Sequence, residues 1–264
     1  VERFKEHWGF KRVWVKTHKD WLWDTEYYAS RGVQIGSEFP EGLPKVHVGV
    51  YYSMKEPWNR AEHRMDWRKI HLAQIGSDRL GIPFEERRPR LAPQFQKAPV
   101  VASDKPIVTF ATHSTAGAKY WQREECWAEL IDRFPDHRWI HTSKESHCPP
   151  AEQSGESLEE VAGWMLSSQF FVGISSGLGW FAWALGVPVF IISGFTPSVV
   201  ERSKGIWTIQ NPRVCNSCWA WDVFDKGDWD WCPAHKDTSR QFECTREISP
   251  EMVAYRIKKE LNRQ

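Results

Sequence analysis

No stretch of the 264-residue sequence approaches the roughly 20 consecutive apolar residues that cross a bilayer, so a membrane-spanning helix is not expected. An excess of one charge is missing too: 35 Lys and Arg stand against 34 Asp and Glu, a formal net charge of +1. Without a basic excess, no global field draws the chain to nucleic acid or to anionic lipid. The first residues hold no apolar signal segment, which points to the reducing cytoplasm and disfavours disulfides. Residue 1 is Val rather than Met and leads straight into an amphipathic stretch, so the natural product is expected to begin earlier. Internal repeats are lacking. So are the G-K-[ST] ending of a Walker A loop and the G-x-G-x-x-G dinucleotide turn.

Tryptophan, in contrast, is plentiful, with 17 residues, several of them among charged neighbours (Trp21, Trp23, Trp67, Trp121, Trp219, Trp221, Trp229, Trp231). Each reads first as packing; the excess hints at oligomer or ligand faces. Cysteine is concentrated. Within residues 211–246, Cys215 and Cys218 form a C-x-x-C, followed by Cys232 and Cys244. A C-x-x-C brings two thiolates to one metal from a single turn, and two later cysteines can complete a tetrahedral all-sulfur shell. We read a structural metal finger in preference to two disulfides. All-thiolate tetrahedra suit zinc and also a single iron, so the metal stays open. His235, three residues after Cys232, is a spare ligand.

Strand-like and helix-like stretches alternate along the chain. The first region, residues 1–95, offers a helix ended by Gly9, a strand at 12–15, a helical segment at 27–29 and strands at 34–35 and 46–52. A helix over 66–80, stopped by Gly81 and Pro83, completes it. Residues 85–105 are rich in Pro, Arg and Gln without periodicity and read as an extended crossover, with a domain boundary there. From 96 to 264 the pattern gives strands at 106–110, 138–141, 170–174 and 189–193. Helices are expected at 123–134, 157–166, 180–185 and 250–261, with the finger inserted before the last. This alternation predicts an α/β fold with a parallel sheet and helices on both faces.

In such sheets ligands bind beyond the carboxyl ends of the strands, and two strand-to-helix loops have the composition for phosphate. Thr112-His113-Ser114-Thr115-Ala116-Gly117-Ala118-Lys119 supplies hydroxyls, a glycine for close backbone approach and a lysine. Ser175-Ser176-Gly177-Leu178-Gly179 offers hydroxyls and free N–H groups at a helix N-terminus. Either loop alone could be an ordinary tight turn. For general-base work the first region holds Asp20, Asp24, Glu26, Glu56, Glu62, His63, Asp66 and His71, and nothing selects among them. Asp66 is the one nominal candidate, although it reads first as a helix N-cap.

Several segments together resemble the bacterial autotransporter heptosyltransferases: Thr115-Ala116-Gly117-Ala118-Lys119-Tyr120-Trp121, the run Phe171 through Ala184 containing Ser175-Ser176-Gly177-Leu178, Ile192-Ser193-Gly194-Phe195-Thr196, Cys215-Asn216-Ser217-Cys218-Trp219, and Trp231-Cys232 through Cys244-Thr245-Arg246. The match is dense over residues 106–254 and weaker over 27–91. The resemblance implies a GT-B glycosyltransferase of two Rossmann-like lobes that moves heptose from ADP-heptose to serine hydroxyls of an autotransporter adhesin. It also implies iron held by Cys215, Cys218, Cys232 and Cys244 and a large, dodecamer-like homo-oligomeric ring. Lys119 would neutralise the diphosphate, with Ser114, Thr115 and Ala116 beside it, and Ser175, Ser176, Gly177 and Leu178 would hold phosphate and sugar. By the same resemblance, a glycine-rich first loop and the acceptor-deprotonating aspartate belong before this first region, so the N-terminal lobe reads as shortened. Two other readings follow from that: an oligomeric scaffold that binds sugar nucleotide without transfer, and a transferase acting on modified bases in DNA.

Overall fold

The structure, a computed structural model, describes residues 1–46, 48, 69–123, 125–144, 148, 151–221, 230 and 232–263. Most of the strand expected over 46–52 lies outside them, as do Asp66, Trp67, Trp229 and Trp231. The chain divides into two compact units, Val1–Lys97 and Ala98–Gln264.

In the first unit, α1 (Glu2–His7) is followed by Gly9 at φ +68°, the left-handed conformation that glycine enters without strain. Strands β1 (Val13–Lys16) and β2 (Val33–Gly36) pair in parallel, Val13 opposite Val33, with α2 (Thr25–Ser30) between them in sequence. Asp24 caps α2. Its carboxylate accepts the Tyr27 N–H at 3.0 Å and the Arg90 guanidinium at 2.8 Å. These two bonds, the Tyr27 bond first, hold its carboxyl below the usual carboxylate range. A lowered folded-state pKa contributes stability that is complete above the ordinary value of about 4 and is lost as pH falls through the lowered one. Asp24→Asn keeps a capping oxygen and removes the titration. It should flatten the acid limb of thermal stability below about pH 4; an unchanged limb would remove Asp24 from this role.

Helix α3 (Leu72–Arg79) begins later than the expected residue 66, because His71 caps it: its Nδ1 accepts the Ala73 N–H at 3.1 Å. The imidazole is therefore neutral at that nitrogen, and burial lowers its pKa. The stretch expected to be an unstructured crossover contains α4 (Pro93–Gln96), with Pro at its first turn, where a missing N–H costs nothing. Leu91, Ala92, Phe95 and Ala98 there are buried, and Leu91 bridges to Trp23. Apolar residues spaced among the prolines gave that segment something to bury.

The second unit is built on a wholly parallel six-stranded sheet. Its elements in chain order are β3 (Ile107–Ala111), α5 (Cys126–Asp132), β4 (Arg138–His141), β5 (Glu152–Gln153), α6 (Leu158–Leu166), β6 (Ser168–Ile174), α7 (Gly177–Ala184), β7 (Val189–Ile192), α8 (Ser198–Glu201), β8 (Ile206–Ile209), α9 (Cys218–Trp221), α10 (Glu243–Arg246) and α11 (Pro250–Leu261). Strand order is β5-β4-β3-β6-β7-β8.

Alternate residues of the strands, Val108 and Phe110, Phe170, Val172 and Ile174, Phe190 and Ile192, face one apolar cluster with Trp127 and Leu130 of α5 and Val253 and Ile257 of α11. Each fully buried aromatic there is worth about 1.5–3 kcal/mol in transfer free energy. Helices α6 and α7 pack on β3, β6 and β7. Gly179 admits that approach, since a Cβ there would sit 2.8 Å from Ile191 Cδ1. Helix α6 starts with a capping box, Ser157 Oγ accepting the Glu160 N–H and Glu160 accepting the Ser157 N–H. Helix α11 matches its expected span, capped by Ser249 with Pro250 at the first position. Trp121 is core: it is buried and donates its Nε1–H to Ile248 O at 2.8 Å. Among the described residues, no helix is long and apolar enough to cross a membrane.

Candidate functional site

Strand order reverses between β3 and β6, which lie side by side with Phe110 opposite Val172 and Ala111 opposite Gly173. The chain leaves these two strands in opposite directions and opens a crevice beyond their carboxyl ends, where open α/β sheets bind ligands. Both loops singled out from sequence start here. One follows Ala111 and the other follows Ile174. At Gly173 a Cβ would lie 2.9 Å from the Phe171 ring and 3.0 Å from the Ala111 carbonyl oxygen, so the pairing there favours glycine.

The first loop is held from both sides. Thr112 and His113 N–H both donate to Ser143 Oγ, at 3.1 and 3.3 Å. Buried His141 lies 3.1 Å from Gln153 Oε1 through Nδ1 and 2.9 Å from Thr112 Oγ1 through Nε2. Since an amide oxygen only accepts, Nδ1 carries the proton and, in the neutral ring, Nε2 accepts from the Thr112 hydroxyl. Tyr120 repeats the device. Its hydroxyl donates to Ser114 O at 3.0 Å, so its 2.9 Å contact with His113 Nδ1 makes that nitrogen the donor. The loop closes in a 3-10 turn over Gly117–Lys119, placing Ala116 and Ala118 inside, Thr115 outside and Lys119 half-buried.

The second loop is shorter than expected, because α7 starts at Gly177 rather than Trp180. Gly177, Leu178 and Gly179 are therefore its first turn, whose N–H groups have no helical partner. Ser176 occupies the cap position without a side-chain capping bond, and its Oγ is buried with no partner among the described residues. This turn is an anion site in waiting: free N–H groups, a free hydroxyl and the positive end of a helix dipole.

Two of the hydroxyls read as phosphate ligands are otherwise engaged. Ser114 Oγ donates to Ser175 O at 3.0 Å, tying one loop to the other, and Ser175 Oγ donates to Glu201 Oε1. A hydroxyl has one proton, so neither can also donate to a phosphate; they position the loops, and Thr115, Ser176 and the α7 N–H groups remain as donors. Glu201 was missed in the sequence. It is buried on the one-turn helix α8, and its second carboxylate oxygen has no partner among the described residues. Burial pushes its carboxyl up, opposed by the Ser175 bond and the charge of Lys119. Burial likewise pulls the Lys119 ammonium down, opposed by Glu201. A glutamate in an apolar run, Ser198-Val199-Val200-Glu201, carries no sequence sign that the fold will bury it.

All six cysteines are free thiols. Cys218, Cys232 and Cys244 are buried and Cys215 is half-buried. The turn through Ser217, at φ +68°, lets Cys215 and Cys218 meet in a thiol–thiol hydrogen bond. Burial lifts the Cys244 thiol to about 12, and the charges of Cys232 and Cys215 add to it. Burial and the other thiols raise Cys218 as well. Cys215, Cys218 and Cys244 thus resist ionisation, which a cation would relieve, and thiols of this kind suit a thiolate-bound metal, although among the described residues the ligand atoms found within 4.8 Å of one another are those of Cys215, His235 and Glu243 and not the four sulfurs together. Near Cys215 lie His235 and Glu243, with one ligand atom of each within 4.8 Å of the sulfur and of one another. Glu243 is already committed: Arg240 donates to both its oxygens at 2.9 and 2.6 Å, the Cys215 N–H donates at 3.0 Å, and its carboxyl is held down at about 2. His235 remains the spare ligand.

Distant in sequence, the finger is close to the first loop in space. Ala118 packs with Phe195 and Cys218, and Gly117 N–H donates to Asp230 Oδ1 at 3.2 Å. Ser217 N–H donates to Gly194 O at 2.7 Å and Trp219 N–H to Phe195 O at 3.1 Å, and a Cβ on Gly194 would lie 2.7 Å from Cys244 backbone.

No protein-family model matches the chain. The autotransporter heptosyltransferase BAHTCr of Citrobacter rodentium is 35% identical over 230 residues, 81% of this chain and 54% of that protein. The inactive autotransporter heptosyltransferase BimC of Burkholderia thailandensis is 31% identical over 194 residues, 68% of this chain and 45% of its own. The chain spans about half the length of these curated relatives. Among solved structures, the dodecameric iron-containing heptosyltransferase TibC of Escherichia coli, in complex with ADP-D-beta-D-heptose, matches 99% of this chain and 70% of its own, with 31% identity and a TM-score of 0.81. The architecture is that of the GT-B-like heptosyltransferases, and the chain belongs to the autotransporter heptosyltransferase family.

Proposed function

We propose that this chain transfers heptose from ADP-heptose to serine hydroxyls of an autotransporter-type protein. The observation that carries this is the Ser114–Ser175 tie, at the strand-order switch, between the loop that ends in half-buried Lys119 and the loop that leads into the uncapped first turn of α7. Residues 96–264 bind the nucleotide sugar and residues 1–95 belong to the acceptor side. As the serine oxygen bonds to the sugar's anomeric carbon, the bond from that carbon to the diphosphate breaks and ADP leaves with its electron pair. Lys119, the α7 N–H groups and the Ser176 hydroxyl meet the charge that grows on the leaving oxygens, and stabilisation where charge develops lowers the barrier. The serine proton goes to a base that the chain does not single out; Asp66, outside the described residues, is the nominal candidate.

Cys215, Cys218, Cys232 and Cys244 would hold iron, with zinc as the alternative, and the metal's part is structural: it cross-links the finger beside the donor loop. The chain works as a homo-oligomer in the cytoplasm, where nucleotide sugar and unexported acceptor meet. The relative described as inactive favours a second reading, a sugar-nucleotide-binding scaffold without transfer. One experiment separates them. Purified protein with ADP-heptose and an autotransporter passenger should give serine-linked mass increments of one heptose each, and calorimetry should detect ADP binding. Binding without increments selects the scaffold; absence of both overturns the assignment of the site.

A further inference from the structure

His113 has no part in the chemistry described above, yet it stands in the loop that carries Lys119 and is tied twice. Its N–H donates to Ser143 Oγ at 3.3 Å, and its Nδ1–H donates to the Tyr120 hydroxyl at 2.9 Å. Tyr120 does not need that second contact, because its own proton already goes to Ser114 O at 3.0 Å. The contact serves the imidazole. It fixes the ring, 5.8 Å from the tyrosine ring between centroids and tilted by 51°, and it commits Nδ1 as a donor whether the imidazole is neutral or charged. Protonation therefore changes only Nε2, an acceptor in the neutral ring and a donor in the charged one. The side chain is half-buried, and among the described residues Nε2 makes no hydrogen bond or ion pair.

We infer that His113 is a further diphosphate-binding residue, which takes a proton from solvent on Nε2 as the sugar nucleotide binds and gives that N–H to a phosphate oxygen. The inference rests on the donor-site reading above. His113 adjoins Ser114, whose hydroxyl reaches Ser175, so it stands one residue from the tie between the two loops. The ionisable groups around it are Tyr120 in contact, buried His141 bonded to Thr112, and Lys119 and Lys144 along the chain, while Glu201 is held by Ser175. Among the described residues no carboxylate pairs with the ring. A charged imidazole there has no resident anion, so the anion that stabilises its charge is the one the crevice receives.

The test is calorimetric titration of the full chain with ADP-heptose, whose diphosphate carries no titratable proton near neutrality, in two neutral buffers of different ionisation enthalpy. The apparent enthalpy should differ between the buffers, by an amount that corresponds to uptake of part of a proton for each sugar nucleotide bound. Because the charged ring is the form that binds, affinity should weaken as pH rises across about 5 to 8, the span in which imidazoles lose their charge. His113→Gln places an amide N–H near the Nε2 position and cannot be charged. It should bind about tenfold more weakly, lose the buffer dependence and show a flat pH profile over the same span. The unsubstituted protein alone can refute the inference: binding with a buffer-independent enthalpy overturns it. Proton uptake that persists in His113→Gln overturns it as well. Failure of the unsubstituted protein to bind ADP-heptose at all would instead overturn the donor-site reading, and this inference with it.

Discussion

Lys119→Met is expected to cut heptose transfer by about 10²–10³ in kcat while leaving the fold intact, because electrostatic groups aimed at developing charge are worth that much. Departing ADP gains negative charge on its terminal phosphate, and the sequence offers one lysine in the loop that leaves β3. Lys119 is half-buried, so its charge acts through a medium less polarisable than bulk water. Methionine matches the length and apolar stem and removes only the ammonium. Arginine is not a gentle replacement, since its planar fork is larger and differently hydrated. Circular dichroism would confirm folding, and single-turnover transfer would measure the loss. Undiminished transfer in the methionine variant would place the diphosphate elsewhere.

Cys218→Ser is expected to empty the finger of metal. A structural four-thiolate site supplies folding free energy to the segment it closes, and a hydroxyl is a poor ligand for the same ion. Elemental analysis of the unsubstituted protein should find close to one iron per chain, and the variant should find almost none. The consequences should spread in two directions. Cys218 packs against Ala118 and Phe195, so the loop bearing Lys119 loses a wall and ADP affinity should fall as well. If the finger also builds subunit contacts, size-exclusion chromatography should show smaller species. A fully metallated, fully assembled Cys218→Ser protein would refute the role given to the finger. Zinc in place of iron would change the ion and keep the role.

Much of the second unit could be read along the chain because its signals are local. Continuous apolar runs such as Ile107–Ala111 mark buried parallel strands, and Ser157 and Ser249 mark helix starts by hydrogen bonds that reach only three residues. The two edge strands were not legible. Glu152–Gln153 is exposed and two residues long, and Ile206–Ile209 is a short run whose partner, Val189–Ile192, is supplied by the sheet. The start of α3 was misplaced for a related reason: a histidine capped it, and histidine is not among the usual capping residues.

By itself, the sequence determined the α/β alternation, the four clustered thiols and the two loops that bear hydroxyls, glycine and Lys119. Composition and nearest-neighbour spacing suffice for those. Only the tertiary structure decided that the two loops meet where strand order reverses, and that Ser114 spends its proton on a loop-to-loop tie and Ser175 its own on Glu201. It also brought Cys218 against Ala118 and buried Glu201 against Ser175. Each of these joins residues far apart along the chain. Whether a hydroxyl is free to donate, or a carboxylate is dry enough to matter, depends on partners and on water exclusion, which the packing of the sheet alone sets.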